Sequence, residues 1–171
     1  MKYFLVSGGL DSSTMYKEFY KKGDTAVFIN YQQESLTQEL KNVKHLTNDD
    51  FLYLEVKKPN KLNDFYYQGR NLLFLSLVLS KTQEGDEIYI GVSATDYDEF
   101  PDCRPYFFKT LNLAFSTYKV SIKTPYVFTE RKEIYKKAKE FKLNYTSCYS
   151  PTKNGLPCGV CLSCIVDMDN R

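Results

Sequence analysis

Apolar and polar positions fall into two alternating kinds of segment. Residues 3–6 are an unbroken apolar run, as a strand covered on both faces requires, and residues 12–20 then carry the mixed pattern of a helix. A second strand is expected at 26–30. Across 34–46, Leu36, Leu40, Val43 and Leu46 recur at spacings of three and four, which describes an amphipathic helix. Residues 51–56 predict a third strand. Gly69 opens a strongly apolar helix at 71–79 laid against the sheet, and 87–92 predict another strand. Strands alternating with helices give an α/β fold with a doubly wound, mostly parallel sheet. Ligands of such sheets sit at the carboxyl ends of the strands, so 7–13, 30–33 and 93–104 should line one edge and share one pocket.

Length and composition narrow this further. A chain of 171 residues, 43% hydrophobic, suits one compact core, so residues 1–171 are expected to form a single domain. A net charge of +2 is too small for a protein that coats polyanions, and no direct nucleic-acid binding is expected. The longest apolar run, 72–79, is far short of a membrane span, and 1–6 are too brief for a signal-peptide core. A cytoplasmic protein is expected, in which five cysteines signify metal or catalytic chemistry rather than disulfides.

The first strand runs into Ser7-Gly8-Gly9-Leu10-Asp11-Ser12-Ser13. Glycines let backbone approach a ligand, and free N–H groups with the helix dipole favour an anion at the helix start. Hydroxyls of Ser7, Ser12 and Ser13 would add bonds to phosphate oxygens. The Walker ending is missing. A bare glycine turn with a helix cap would also fit the residues. The string resembles the pyrophosphatase (PP) loop of the ATP pyrophosphatase superfamily, whose fold is of the adenine nucleotide alpha hydrolase type. That resemblance implies that the loop grips the departing pyrophosphate while Asp11 helps position magnesium.

Near the other end, Cys148, Cys158, Cys161 and Cys164 are spaced Cys-x9-Cys-x2-Cys-x2-Cys. Four thiolates with two-residue gaps meet the demands of a closed tetrahedral zinc site, with Zn–S about 2.3 Å. With no position left for water, such a zinc ion is structural, held by a segment spanning 146–166. An iron–sulfur cluster is the competing reading. Cys103 stands apart, either a small buried side chain or a pocket residue.

Two middle stretches carry more polar chemistry than packing needs: Gly69-Arg70-Asn71 at the start of the apolar helix, and Gly91-Val92-Ser93-Ala94-Thr95-Asp96-Tyr97 leading to Phe100-Pro101-Asp102-Cys103-Arg104. Each has a bland alternative, a surface cap for Arg70 and a loop ion pair for Asp102 with Arg104. Together with the first loop, Thr124-Pro125 and the four-cysteine tail, in order from Phe4 to Cys164, they resemble the QueC family of 7-cyano-7-deazaguanine synthases.

That resemblance implies an ATP-dependent carbon–nitrogen ligase of queuosine biosynthesis. It would convert 7-carboxy-7-deazaguanine and ammonia into 7-cyano-7-deazaguanine (preQ0) through adenylated carboxylate and amide intermediates, releasing AMP and pyrophosphate. The cofactors implied are ATP, Mg2+ and one structural Zn2+, and family members are often homodimers. Ser7, Gly8, Gly9, Leu10, Asp11, Ser12 and Ser13, with Arg70 and Asn71, would bind ATP. Ser7, Asp11, Arg70 and Arg131 are the catalytic candidates. Gln33, Arg70, Asp96, Tyr97, Asp102 and Arg104 would contact the substrate, because a guanine-like edge offers donors that suit carboxylates.

The chain departs from the family in two places. Tyr31-Gln32-Gln33-Glu34-Ser35 lacks the histidine usual there, so its duty would fall to Gln33 or Glu34, and Arg131 stands where a lysine before the last helix is common. The only histidine, His45, sits on the amphipathic helix as a solvated bystander. The chain is also short for the family, with the deficit expected in connecting segments and the tail; a viral or otherwise minimised genome is compatible with that, and the product would feed tRNA or DNA modification. Two alternatives follow: an adenylating enzyme that stops at the amide or joins the acid to a macromolecule, and a non-enzymatic zinc-stabilised binding module.

Overall fold

The computed structural model describes residues 1–58, 66–97 and 99–170; Asp98, within the 93–104 stretch, lies outside them. Five strands form one sheet: β1 (Lys2–Leu5), β2 (Thr25–Asn30), β3 (Leu52–Glu55), β4 (Glu87–Ile90) and β5 (Ser121–Lys123). Their order is β3-β2-β1-β4-β5 and every pairing is parallel, so "mostly parallel" sharpens to all-parallel. Tyr3 sits opposite Thr25 on one side and Ile88 on the other, which fixes the central register.

Both faces are covered, as the unbroken apolar strands require. Helices α1 (Leu10–Phe19), α2 (Leu36–Thr47) and α5 (Arg131–Glu140) pack on one face. There Phe4, Val6, Ala26 and Phe28 of the sheet meet Leu10, Met15, Val43, Ile134 and Ala138. Helices α3 (Arg70–Leu79) and α4 (Pro105–Ser116) cover the other, where Leu5, Val27, Ile88, Ile90 and Ile122 meet Leu75, Val78, Phe108 and Phe115. Each fully buried side chain of this kind contributes about 1.5–3 kcal/mol.

The elements through residue 92 follow the sequence pattern to within a few residues. Beyond it lie α4, β5 and a further helix, α6 (Leu162–Asn170), which the pattern does not announce. Arg131 therefore opens the penultimate helix, and the tail helix runs four residues past the expected bound at 166. Strand order reverses between β1 and β4, whose following segments diverge to opposite faces. A crevice opens at such a fork, and the polar loops lie beside it.

Candidate active site and four-cysteine centre

At the carboxyl ends of β1, β2 and β4 lies a cavity of about 220 Å³. Its walls bring together Ser7, Gly9, Asp11 and Ser12 of the first loop with Gln33, Arg70, Asn71, Asp96 and Arg131. Three stretches far apart in sequence thus share one pocket, as the sheet-edge rule anticipates.

Backbone geometry shapes the first loop. Gly8 has φ +71°, and a Cβ there would stand 2.7 Å from the Glu39 carbonyl oxygen, so only glycine fits. Gly91, at the end of β4, lets α1 start against the sheet: a Cβ would lie 2.8 Å from the Asp11 carbonyl carbon and the Ser12 nitrogen. Gly9 is the N-cap of α1 and supplies no side-chain cap, and Leu10, Asp11 and Ser12 of the first turn line the cavity.

The hydroxyls of Ser7 and Ser12 hold the loop in shape. Their oxygens lie 3.0 Å apart, Ser12 Oγ accepts from the Ser7 N–H at 3.1 Å, and Ser7 Oγ accepts from the Gly9 N–H at 3.3 Å. Oxygens of the same region are unmatched. Among the described residues, Asp11 Oδ1, Ser13 Oγ and Ser147 Oγ are buried without a hydrogen-bond partner, as is Arg131 Nε. Such orphans cost stability unless a ligand satisfies them.

Charge gathers around Arg131, a buried residue at the first position of α5. Its Nη1 lies 3.7 Å from Asp11 Oδ2 and 3.8 Å from Asp96 Oδ1, and its Nη2 3.8 Å from Asp167 Oδ1. Nη2 also donates to Ser163 Oγ at 3.3 Å. Asp96 is anchored from behind, its Oδ2 accepting from the Ser93 N–H and hydroxyl at 3.0 Å each. The Asp11 carboxyl is pushed up to about 7, chiefly by burial; Arg131 pulls against this, and the like charges of Asp96 and Asp167 add to it.

Opposite the loop stands Arg70, hydrogen-bonded to Tyr31. Burial works against its charge, but Tyr31, Cys103 and Asp102 outweigh it and hold the guanidinium above its usual range. Asn71 is held rigidly: its N–H donates to Asp102 Oδ2 at 3.0 Å and its Nδ2 to the Asp102 carbonyl at 2.9 Å. Cys103 is both things weighed for it, a buried side chain and a cavity-lining one, with its thiol pushed up chiefly by burial.

The remaining substrate candidates divide. Gln33 and Asp96 line the cavity; Tyr97, Asp102 and Arg104 are not among its lining residues. Asp102 faces the start of α3, and Arg104 is turned to the Tyr97 carbonyl, 2.9 Å from its Nε. Where the family's histidine is lacking, Ser35 Oγ donates to Glu39 Oε1 at 2.6 Å and Gln33 Nε2 to Glu39 Oε2 at 2.7 Å. Burial pushes the Glu39 carboxyl up, against those two hydrogen bonds. Glu39, Tyr31, Tyr67, Phe74, Tyr149 and Ser163 also line the cavity and carry no signal in the sequence beyond their types. His45 is exposed on α2.

The four cysteines converge. The Sγ atoms of Cys148, Cys158, Cys161 and Cys164 all lie within 4.8 Å of one another, and Cys158 and Cys164 are 3.9 Å apart. Four sulfurs around one tetrahedral ion at about 2.3 Å would sit about 3.8 Å apart, so this set fits a single metal ion. Backbone N–H groups already face the sulfurs, Cys158 N–H to Cys148 at 3.2 Å and Cys161 N–H to Cys158 at 3.3 Å. Burial raises the Cys158 thiol, but the Val160 and Cys161 amides and the neighbouring thiols prevail and bring it down to about 7, towards the thiolate that a metal requires.

Comparisons with known proteins point to one family. The family described as "Queuosine biosynthesis protein QueC" matches residues 24–169, a stretch that begins after the first loop. A 7-cyano-7-deazaguanine synthase of Rickettsia rickettsii (strain Sheila Smith) is 32% identical over 208 residues, covering 96% of this chain and 91% of the relative. One from Vesicomyosocius okutanii is 31% identical, covering 94% and 86%. Because the 208-residue alignment outruns this chain's 171 residues, the relative holds internal segments absent here. Among solved structures, the U34-tRNA thiolase NcsA from Methanococcus maripaludis, with its [4Fe-4S] cluster, superposes with a TM-score of 0.57 at 16% identity, over 97% of this chain. This chain spans 63% of that one, and the likeness is one of fold. No helix among the described residues is long and apolar enough to cross a membrane.

Proposed function

Since the chain belongs to the QueC family of 7-cyano-7-deazaguanine synthases, ATP-dependent ligases acting on small molecules, we propose a division of labour for that reaction among the residues of the cavity. The phosphates of ATP lie on the loop Ser7, Gly8, Gly9, Leu10, Asp11, Ser12 and Ser13, against the uncapped start of α1. The carboxy acid lies across the cavity towards Gln33, Arg70 and Asp96. What carries this reading is that one cavity is lined by Ser7, Gly9, Leu10, Asp11 and Ser12 of the loop and by Gln33, Arg70 and Asp96, while Gly8 and Ser13 lie behind its wall.

In the first half-reaction the carboxylate oxygen attacks the α-phosphorus and the bond to the bridging oxygen breaks, so pyrophosphate leaves with the electron pair. Ammonia then attacks the acyl carbon, AMP departs, and one proton is released to give the amide. In the second, the amide oxygen attacks the α-phosphorus of another ATP; loss of AMP and of both amide protons leaves the nitrile. Both halves place charge on pyrophosphate and AMP, and stabilising it is work for fixed donors. First-turn N–H groups of α1, Arg131 and Arg70 supply them. Asp11 Oδ1, buried and unmatched, suits a Mg2+ ion that would neutralise the polyphosphate.

Asn71 is fixed at the junction of nucleotide and acid, and Asp102 acts on the ring through it rather than as a reader of the edge; Tyr97 and Arg104 brace the loop that carries Asp96. The ion in the four-cysteine centre is a structural Zn2+, supported by sulfur spacing that suits one ion. Exposed Tyr106, Leu113 and Phe128 offer apolar surface that a homodimer would cover, and reduced thiols suit a cytoplasmic setting.

The test is direct. Purified protein supplied with 7-carboxy-7-deazaguanine, ammonia, ATP and magnesium should yield AMP, pyrophosphate and the nitrile, at two AMP per nitrile. An amide that persists under excess ATP would place the end point one step earlier.

A further inference from the structure

The four-cysteine segment reaches the phosphate loop by two routes, one direct and one through Arg131. On the direct route, the Thr146 N–H donates to the Gly8 carbonyl at 2.9 Å, and Asn42 Nδ2 ties the pair by donating to Thr146 Oγ1 at 2.9 Å and to Gly8 O at 3.3 Å. Thr146 stands two residues before Cys148. On the second route, α6 begins directly after Cys161 and carries Cys164 in its first turn. The same helix presents Ser163 and Asp167, which hold Nη2 of Arg131 while its Nη1 faces Asp11. Tyr135 of α5 also donates to Asp167 Oδ1.

Sequence supplies the reason for this dependence. Helix α6 has nine residues, which is marginal for a helix in water without an anchor. Of the four ligand sulfurs, that of Cys161 directly precedes the helix and that of Cys164 lies in its first turn, so closing the metal centre fixes the direction in which Asp167 projects, three residues past Cys164. Asp167 and Ser163 are buried.

We infer that Asp167, with Ser163, is a positioning residue that couples the metal centre to the nucleotide site: metal in the four-cysteine cluster orders α6, α6 orients Arg131, and Arg131 sets the charge and geometry at Asp11 and the loop. The inference rests on the reading that ATP phosphates occupy that loop. Coupling of this kind is reciprocal, so nucleotide must tighten the hold on metal by the factor by which metal tightens the hold on nucleotide.

The experiment follows zinc transfer from the zinc-loaded protein to a chromogenic chelator, with and without saturating magnesium and a non-hydrolysable ATP analogue. In the native sequence the nucleotide should slow zinc release at least about fivefold. Asp167→Ala, loaded with one zinc per chain, should lose most of that protection and bind the analogue correspondingly more weakly, while Asp167→Glu keeps part of both. Zinc taken up by free nucleotide is measured in a protein-free control and subtracted before the protection factors of the variants are compared. A buried aspartate with a merely structural role would lower the melting temperature and leave the protection factor intact, which overturns the inference. Equal zinc release with and without analogue, in protein whose melting temperature the analogue raises, also overturns it. No melting shift in the native sequence would instead sink the assignment of the loop to ATP. If Asp167→Ala does not fold, Ser163→Ala gives the same comparison.

Discussion

Asp11 Oδ2 lies 3.7 Å from Arg131 Nη1, and the other oxygen of the same carboxylate is buried with no partner. One half of Asp11 is answered by a cation of the protein and the other half waits for one. This relationship makes the loop sensitive to pH. The carboxyl holds its proton up to about 7 in the folded protein, against an ordinary value of 3.8. Folding therefore takes up a proton between those values; the stability this contributes is whole below 3.8 and is lost as pH rises through 7. Ligand-free protein should lose thermal stability from about pH 4 to about pH 7, and Asp11→Asn should flatten that part of the profile. Melts across this range, in buffers of equal ionic strength, provide the check.

Gly8 is predicted to be the least replaceable residue of the loop. Gly8→Ala would place a Cβ 2.7 Å from the Glu39 carbonyl and 2.9 Å from Asn42 Cβ, at a φ of +71° that alanine adopts only under strain. The expected cost is about 1–3 kcal/mol, which for a chain of this length lowers the melting temperature by about 2–12 °C. Gly9→Ala, facing a serine hydroxyl at 3.2 Å and lacking positive φ, should be milder for stability and damaging mainly to ATP binding.

Why the sequence shows one half of this molecule and not the other follows from what each half is made of. Strands β1 and β2 are continuous apolar runs, and α2 repeats its leucines and valine at helical spacing, so local pattern and final burial coincide. Helix α4 blurs this. Phe108, Leu111 and Phe115 recur at helical spacing on its buried side, but Tyr106 and Leu113 put large apolar side chains on its exposed side as well, so the stripe has no wholly polar counterface. Strand β5 has three residues and one buried side chain, Ile122, so it exists because β4 lies beside it. The ligand spacing of the cysteines was legible because a tetrahedral ion demands four donors. The grip of Asp167 on Arg131 was not, because an aspartate on a helix carries no mark of a partner 36 positions away in sequence.

Asp102 was expected to read the substrate's edge, and the structure turns its carboxylate to the Asn71 N–H instead. Asp102→Ala should therefore act first on the fold, leaving the first turn of α3 without an acceptor at a cost of about 1–3 kcal/mol. Because the Asn71 backbone loses its carboxylate acceptor while its Nδ2 keeps the Asp102 carbonyl, the KM values for ATP and for the carboxy acid should rise together and modestly. A rise confined to the acid, with the melting temperature unchanged, would return Asp102 to direct contact with the ring. Parallel steady-state kinetics and thermal melts on the one variant separate these outcomes.

Replacement of a single cysteine should report on the metal centre by three readings at once. Cys161 is buried and its neighbours Cys148, Cys158 and Cys164 converge on it, so Cys161→Ser leaves a closed site one strong donor short. Metal content should fall from one zinc per chain to well below one, because a tetrahedral structural site draws its affinity from all four thiolates. Protein of the native sequence should be colourless, since a single zinc ion has no visible absorption; a brown iron chromophore would contradict the sulfur spacing. The segment 146–150 and α6 both depend on the centre, so loss of metal should expose the tail to protease while the sheet, whose core does not include the four ligand cysteines, persists. Limited proteolysis that cleaves first within residues 146–164 of Cys161→Ser, and leaves β1 to β5 intact, is the expected pattern.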